Sequence, residues 1–188
     1  MTQFFSPSLS HIGEQYFRRG KKIPKGFYRI TVKAMIQDDE WRILLLKEWR
    51  WEDPTSQHYK KQWGMYNLLG GGLDWGEDFR DGLSREITEE IWLEAWDIDI
   101  GDTPEYVYIT EVDDGRWGDF ETDDFYPVCV YVYRVRLTHY DLDFDRSPEC
   151  TDFVWVAPED FPQYRIYSHS ARLGEILANG DIGVRWDR

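Results

Sequence analysis

The segment from Gly70 to Leu93 constrains the fold of this chain more than any other. It opens with three consecutive glycines and continues without proline into a stretch where apolar residues recur every four positions: Phe79, Leu83, Ile87 and Ile91. At about 100° per residue, these positions fall on one side of an α-helix. The spacing therefore predicts a helix that packs this stripe against a core.

The same helix carries three carboxylates close together. Glu86 and Glu90 are one turn apart, and Glu89 lies beside them. Like charges at this spacing destabilise an isolated helix by about 0.2–0.5 kcal/mol per pair and raise the carboxylate pKa values. A solvated acidic face is the ordinary alternative. The preceding glycines favour a metal site instead, because they let the backbone approach a ligand and a hard divalent cation takes oxygen ligands.

The spacing resembles the Nudix box. In that pattern a glycine, five residues, a glutamate and seven more residues precede the run R-E-U-x-E-E-x-G-U, where U is apolar. Gly71, Glu77 and the run from Arg85 match in register. Trp92 stands where the pattern has a glycine, a residue that favours a left-handed helix C-cap. We therefore expect the helix to continue toward Ala95 or to end in another way.

The resemblance implies an α/β (α+β) fold, a Nudix-type α/β/α sandwich with a mixed central sheet. It also implies metal-dependent hydrolysis of a phosphoanhydride bond in a nucleoside diphosphate linked to another moiety, with Mg²⁺ or Mn²⁺ as cofactor. A non-catalytic Nudix-like nucleotide-binding or sensor module is the alternative, and the intact R-E-x-x-E-E run argues against it. A structural protein with a calcium-binding helix is a third interpretation.

Residue roles follow from the same resemblance. Arg85 is expected to pair with Glu77 and to brace the loop against the helix. Glu89 is a further metal ligand or the general base, and Glu90 is a ligand that also belongs to the catalytic set. The implied metal-binding positions are Glu86, Glu89, Glu90 and Gly71.

Candidates outside the box are less specific. The acidic stretch 113–124 separates two strand-like segments, an arrangement typical of a loop that closes over a site. In relatives such a loop can supply another metal ligand or the catalytic base, so Glu121 is a candidate, with Glu111 behind it. Lys47 and Arg50 are candidates for binding substrate phosphate. A solvated loop and surface ion pairs are the respective alternatives.

Composition limits the partners. The chain has 188 residues, enough for one domain with a proper core, and a formal charge of -14. This charge argues against nonspecific binding to DNA or to an anionic membrane. Two cysteines, no long apolar run and no signal-like N-terminus predict a cytoplasmic protein without a disulfide framework. A homodimer is plausible by resemblance.

The order of elements is read from alternation and turn signals. Residues 1–25 form a predicted N-terminal extension, and residues 26–188 form the Nudix hydrolase domain. Segment 41–49 is expected to be the more buried neighbour of the first strand, and a final amphipathic helix is expected to stop at Gly180. The predicted strand segments are 27–36, 41–49, 62–72, 104–112, 125–137 and 152–156, with a turn or short strand at 97–102.

Overall fold

The structure is a computed structural model that describes residues 29–48, 64–74, 76–112, 126–139 and 150–180. The predicted N-terminal extension lies outside these residues. Short 3₁₀ helices cover Ala95–Asp97 and Pro158–Gln163. The strands and α-helices are β1 (Arg29–Met35), β2 (Ile43–Glu48), β3 (Tyr66–Asn67), α1 (Phe79–Ile91), β4 (Ile98–Ile100), β5 (Tyr106–Val112), β6 (Tyr126–Leu137), β7 (Cys150–Val156) and α2 (Ser168–Asn179).

The strands pair in a mixed arrangement. β6 pairs in parallel with β1 along one edge, and it pairs antiparallel with β5 and then β4 along the other. β2 lies between β3 and β7 and is antiparallel to both. The predicted mixed α+β fold is thus confirmed.

β2 does not form a ladder with β1 as expected from the sequence. In the described residues, the one bridge between these two segments joins Ile43 of β2 to Gln37, which lies two positions beyond the end of β1. The reason is that residues 68–72, called the glycine loop below, occupy the available edge of β1. The Val32 and Ala34 amides donate to the carbonyl oxygens of Gly71 and Leu69, at 2.9 Å in both cases.

Apolar side chains leave the strands on both faces, as alternation along a strand requires. Val32 and Ala34 of β1 join one buried cluster with the apolar stripe of α1. Met35 of β1 joins a second cluster with Phe161 and with Leu173 of α2. Each helix therefore covers its own face of the strands, which gives the α/β/α layers. No helix in the described part of the chain is long and apolar enough to cross a membrane.

Helix α1 is capped at both ends. The Asp78 side chain accepts a hydrogen bond from the Arg80 amide, as an N-cap does. The expectation that the helix continues toward Ala95 is wrong, because Trp92 itself takes the left-handed conformation at φ 56° and donates its N–H to Thr88 O. A non-glycine residue in that region costs about 1–3 kcal/mol. The helix therefore ends in the left-handed C-cap that a glycine favours, although position 92 is a tryptophan.

Helix α2 ends at Gly180, as predicted, and it contacts the preceding 3₁₀ helix closely. A Cβ on Gly174 would lie 2.2 Å from Cδ2 of Phe161, a residue of the second buried cluster. Real contacts are never this short, so only glycine lets the helix approach the Phe161 ring.

We expect Gly174→Ala to lower the free energy of unfolding by about 1–3 kcal/mol, because the added methyl overpacks the contact with Phe161. Urea denaturation measures the change. Gly101→Ala is the matched control, since a Cβ there would meet its nearest neighbour, Arg134 O, at an ordinary 3.4 Å. Equal losses in the two variants would contradict the packing argument.

Candidate active site

The glycine loop is fixed along the edge of β1, and Gly70 makes its sharpest bend. Gly70 has φ +107°, and a Cβ there would lie 2.3 Å from Val32 O. Glycine is the residue that accepts both the positive φ and the close approach. The bend turns the Gly70 N–H toward α1, where it donates to Glu90 Oε2 at 2.8 Å.

Gly71 lies directly against the box helix. A Cβ on this residue would be 2.3 Å from Glu86 Oε2, so the missing side chain leaves room for that carboxylate. The Gly71 carbonyl, a predicted metal ligand, accepts the Val32 N–H at 2.9 Å. A carbonyl oxygen has a second lone pair, so this bond leaves one acceptor position on Gly71.

Arg85 and Glu77, the predicted brace, lie together. Arg85 Nε is 2.8 Å from Glu77 Oε1, and Arg85 Nη2 is 3.0 Å from Glu77 Oε2, a two-point contact. The Arg85 hydrogen bond is the main cause that lowers the pKa of Glu77, against the effect of burial. Arg85 Nη2 also donates to Gly72 O at 3.3 Å, which ties the loop to the helix.

The same guanidinium also contacts two of the predicted metal ligands. Arg85 Nη1 donates to Glu86 Oε1 at 2.8 Å and to Glu89 Oε2 at 3.4 Å. Burial raises the pKa of Glu86, while Arg85 and Lys33 act in the opposite direction. Glu89 is 62% exposed, whereas Glu86 is 19% exposed. Both carboxylates therefore contact Arg85, but Glu86 is mostly buried and Glu89 is mostly exposed to solvent.

The carboxylates are suited to a metal by chemistry but are not gathered around one point. Within the described ranges, no group of three or more Asp, Glu, His or Cys side chains is assembled for a metal ion. Arg85 holds Glu86, and buried Glu90 is turned to the Gly70 amide. Hard oxygen donors fit Mg²⁺ or Mn²⁺. The Arg85 bond to Glu86 uses Oε1, so a bound ion would use Oε2 or would displace Arg85 from Oε1.

The candidates outside the box are only partly placed. Glu121 and Arg50 lie outside the described residues, and Glu111 is described only by its backbone in β5. Lys47 pairs with Tyr66 of β3 across the antiparallel ladder. Alternation along β2 places Lys47 on the face of Leu45, which packs in the cluster of α2 rather than that of the box helix.

Lys33 is a residue of this region that the sequence interpretation missed. It is 2% exposed, and its Nζ donates to the carbonyl oxygens of Leu68 and Gly70. Lysine is almost never fully buried unless its ammonium is paired. The only signal in the sequence was a lysine inside the otherwise apolar stretch of β1, which alternation alone assigns to a solvated face.

A second missed group is a polar cluster at the start of α2. Ser170 Oγ accepts the Leu68 N–H at 3.1 Å and donates to Asn67 Oδ1 at 2.6 Å. His169 Nε2 lies 3.1 Å from the same Asn67 oxygen, and Tyr108 donates its hydroxyl to the His169 carbonyl. The cluster is assembled from three segments, residues 67–68, Tyr108 and residues 169–170, which are far apart in the chain. No local sequence pattern therefore indicates it.

The surroundings hold His169 neutral. Burial is the main cause that lowers its pKa well below the usual 6.5, and the positive charges of Lys33 and Arg29 add to the effect. Since Asn67 Oδ1 is an acceptor, His169 Nε2 carries the proton, and Nδ1 is the bare nitrogen. That Nδ1 atom is buried without a hydrogen-bond partner among the described residues.

A pH-dependent stability follows from the lowered pKa of His169. Below about pH 6.5 the unfolded chain binds a proton at this residue, while the folded protein does not until its own lower pKa is reached. The free energy of unfolding is therefore unaffected by His169 above about pH 6.5. It declines as the pH falls from about 6.5 toward the lower pKa of the folded protein.

We expect His169→Asn to flatten the decline of unfolding free energy below pH 6.5, by up to about 1.4 kcal/mol per pH unit. Urea denaturation over a pH series measures it. His139→Asn, which removes a largely exposed histidine, is the control. Parallel curves for the wild-type protein and His169→Asn would contradict the assignment.

Comparison with known proteins agrees with the box. A family model described as NUDIX domain matches residues 27–178. The nucleoside triphosphatase NudI of Salmonella arizonae is 26% identical over 117 residues, which cover 61% of this chain and 79% of the relative. The NudI protein of Escherichia fergusonii is 30% identical over 101 residues, covering 54% of this chain and 67% of the relative.

Solved structures show the same fold. The MutT protein of Methanosarcina mazei Go1 has a TM-score of 0.58 at 19% identity and covers 85% of this chain and 99% of its own. The dihydroneopterin triphosphate pyrophosphohydrolase of E. coli has a TM-score of 0.53 at 16% identity, with 80% and 95% covered. At these identities the likeness concerns architecture alone.

Proposed function

The chain belongs to the Nudix domain family, whose members here are phosphoanhydride hydrolases, and we propose that it is a metal-dependent pyrophosphohydrolase. Its substrate in this proposal is a nucleoside diphosphate linked to another moiety. The observation that carries the proposal is the half-buried carboxylate of Glu86, which lies against Gly71 and beside Glu89 on the box helix. Arg85 Nη1 balances the charge of this carboxylate, and a carboxylate in such surroundings needs a positive partner, so a divalent ion that binds Glu86 would serve in the same role.

Arg85 is built to release Glu86 without losing its own partner. Its two-point contact with Glu77 involves Nε and Nη2, whereas Glu86 and Glu89 share Nη1. The guanidinium therefore stays paired with Glu77 when the other carboxylates turn to a ligand. The chain's own residues thus keep the loop and helix aligned in both arrangements.

Glu86, Glu89 and Glu90 would hold Mg²⁺ or Mn²⁺ in this proposal, with the Gly71 carbonyl as a further oxygen ligand. A bound divalent ion supplies neutralisation of phosphate charge and a water of lowered pKa. Glu89, which is mostly exposed, is the ligand that has room to act as a base instead. Glu121 is the second candidate for the base, and Lys47 and Arg50 are candidates for the substrate phosphates.

Nucleoside triphosphates are the first substrates to test. The NudI relatives are named nucleoside triphosphatases, and a nucleoside triphosphate is a nucleoside diphosphate that carries a further phosphate. The neighbour from E. coli is named for a pterin triphosphate, which has the same phosphoanhydride chain. Nucleoside diphosphate sugars and dinucleoside polyphosphates complete the panel.

The setting of the protein is part of the same proposal. Cys129 and Cys150 do not form a disulfide with each other, which suits a reducing cytoplasm. The formal charge of -14 disfavours DNA as a partner. Cell fractionation tests the location, and light scattering tests whether the chain forms a homodimer.

We expect Glu86→Gln to lower kcat/KM by about 100-fold while the protein stays folded, because the neutral amide no longer offers a charged oxygen. The measurement is product release by chromatography with Mg²⁺ or Mn²⁺ present. Asp81→Asn, an exposed acid near the start of the same helix, is the control and should keep the wild-type rate. Wild-type turnover by Glu86→Gln would show that the site is wrongly assigned.

The same panel separates this function from the alternatives. Calorimetric binding of a nucleotide without product release would identify a binding or sensor module. Stabilisation by Ca²⁺ with neither binding nor release of nucleotides would identify a structural protein. A metal-dependent rate on any member of the panel supports the proposed hydrolase.

A further inference from the structure

Lys33 occupies an unusual place between the two faces of the fold. It belongs to β1 and is in phase with Met35, on the side of the cluster that contains α2. Its ammonium nevertheless reaches the glycine loop, where it donates to Leu68 O and Gly70 O. Its positive charge also acts on Glu86 of the box helix and on His169 of α2.

The fold itself does not require a cation at this position. The neighbouring side chains of β1, Val32, Ala34 and Met35, are apolar and are 0%, 0% and 1% exposed. Burying an ammonium costs several kcal/mol that its hydrogen bonds only partly offset, and an apolar side chain of similar volume is often as stable. A methionine of similar length would fill the space but would leave the carbonyls of Leu68 and Gly70 without these donors, so the explanation for Lys33 lies at those two carbonyl groups.

The explanation lies in the backbone of Gly70. The Gly70 N–H is held by Glu90 Oε2, and the Gly70 carbonyl is held by Lys33, so this residue is fixed on both sides. The described residues contain no cis peptide bond. In a trans peptide the C=O and the following N–H point in opposite directions. Fixing Gly70 O toward Lys33 therefore aims the Gly71 N–H away from Lys33.

This orientation matters for the carboxylate site. Gly71 is the residue whose missing side chain makes room for Glu86, and its Cα lies against that carboxylate. If the Gly70–Gly71 peptide rotated, the backbone beside the Glu86 carboxylate would change. The Gly70 N–H that binds Glu90 belongs to the preceding peptide, which lies between the two carbonyl groups that Lys33 holds. A glycine pair rotates more readily than other residues, because no Cβ restricts it. The β1 amides already hold the carbonyls of Leu69 and Gly71, and Lys33 holds the Gly70 carbonyl that lies between them.

We propose that Lys33 is a positioning residue for the reaction, which holds the Gly70 carbonyl and so keeps the glycine loop in register with Glu86 and Glu90. The inference rests on the proposed hydrolase function for its kinetic consequence. Its structural consequence, a fixed Gly70 peptide, stands independently of the substrate and of turnover.

The test compares Lys33→Met, which removes the charge and the donors, with Lys33→Gln, which keeps a donor. Kinetics are measured at saturating Mg²⁺ or Mn²⁺ on the substrate that the wild-type protein hydrolyses. We expect kcat to fall about 10–100-fold in Lys33→Met and less in Lys33→Gln, with KM within about 3-fold of wild type in both. Met35→Leu, a substitution two residues along the same strand face, is the control and should leave kcat unchanged.

Hydrogen exchange measured by NMR supplies a readout that does not depend on turnover. We expect the Gly70 amide to lose protection in Lys33→Met, while the paired amides of β1 and β6 keep theirs. A folded Lys33→Met protein with wild-type kcat and wild-type Gly70 exchange overturns the proposal. So does a fall in kcat that only matches the fraction of unfolded protein.

Two further outcomes are distinguishable. If Lys33→Met does not fold, Lys33→Gln decides, and wild-type kcat and Gly70 exchange in that variant overturn the proposal. If the wild-type protein hydrolyses no member of the panel, the proposed function fails. The exchange measurement then decides the positioning role, which is supported by loss of Gly70 protection and overturned by its retention.

Discussion

The hold on Gly70 is the constraint on which the rest of the site depends. One backbone residue donates its N–H to a carboxylate of α1 and gives its carbonyl to a lysine of β1. Its neighbours Leu69 and Gly71 accept the amides of β1. A loop held at so many points behaves as part of the sheet, and the buried side chains of Leu68 and Leu69 anchor its start. The box helix can therefore be placed accurately against it.

Two cationic side chains in this region, Arg85 and Lys33, each bind a partner and also act on further titratable groups. Arg85 keeps a two-point contact with Glu77 and uses its remaining nitrogen for Glu86 and Glu89. Lys33 adds positive charge from the opposite side of the strands, where it adds to the main effect of burial in lowering the pKa of His169. A strongly acidic chain can in this way place carboxylates close together, because nearby cations offset their repulsion.

Much of the architecture followed from local pattern. Alternation predicted β1, β5, β6 and β7, and the apolar stripe predicted α1, because both periodicities report which face is buried. The pairing of the strands was harder to predict from the sequence. β2 was expected beside β1, but the glycine loop takes that edge, and strand order depends on contacts distant in sequence. The end of α1 at Trp92 was also missed, because a left-handed tryptophan is unfavourable on propensity alone.

The sequence by itself determined the box, its register, and the contact partners that lie within one helix and its preceding loop. Glu77 and Arg85 are eight residues apart, and the resemblance to the Nudix box predicted their contact. Only the tertiary structure decided that Lys33 reaches Gly70, 37 positions away, and that Asn67 meets Ser170, 103 positions away. Local periodicity carries burial and element type, whereas these contacts arise when strands and helices distant in the chain pack together.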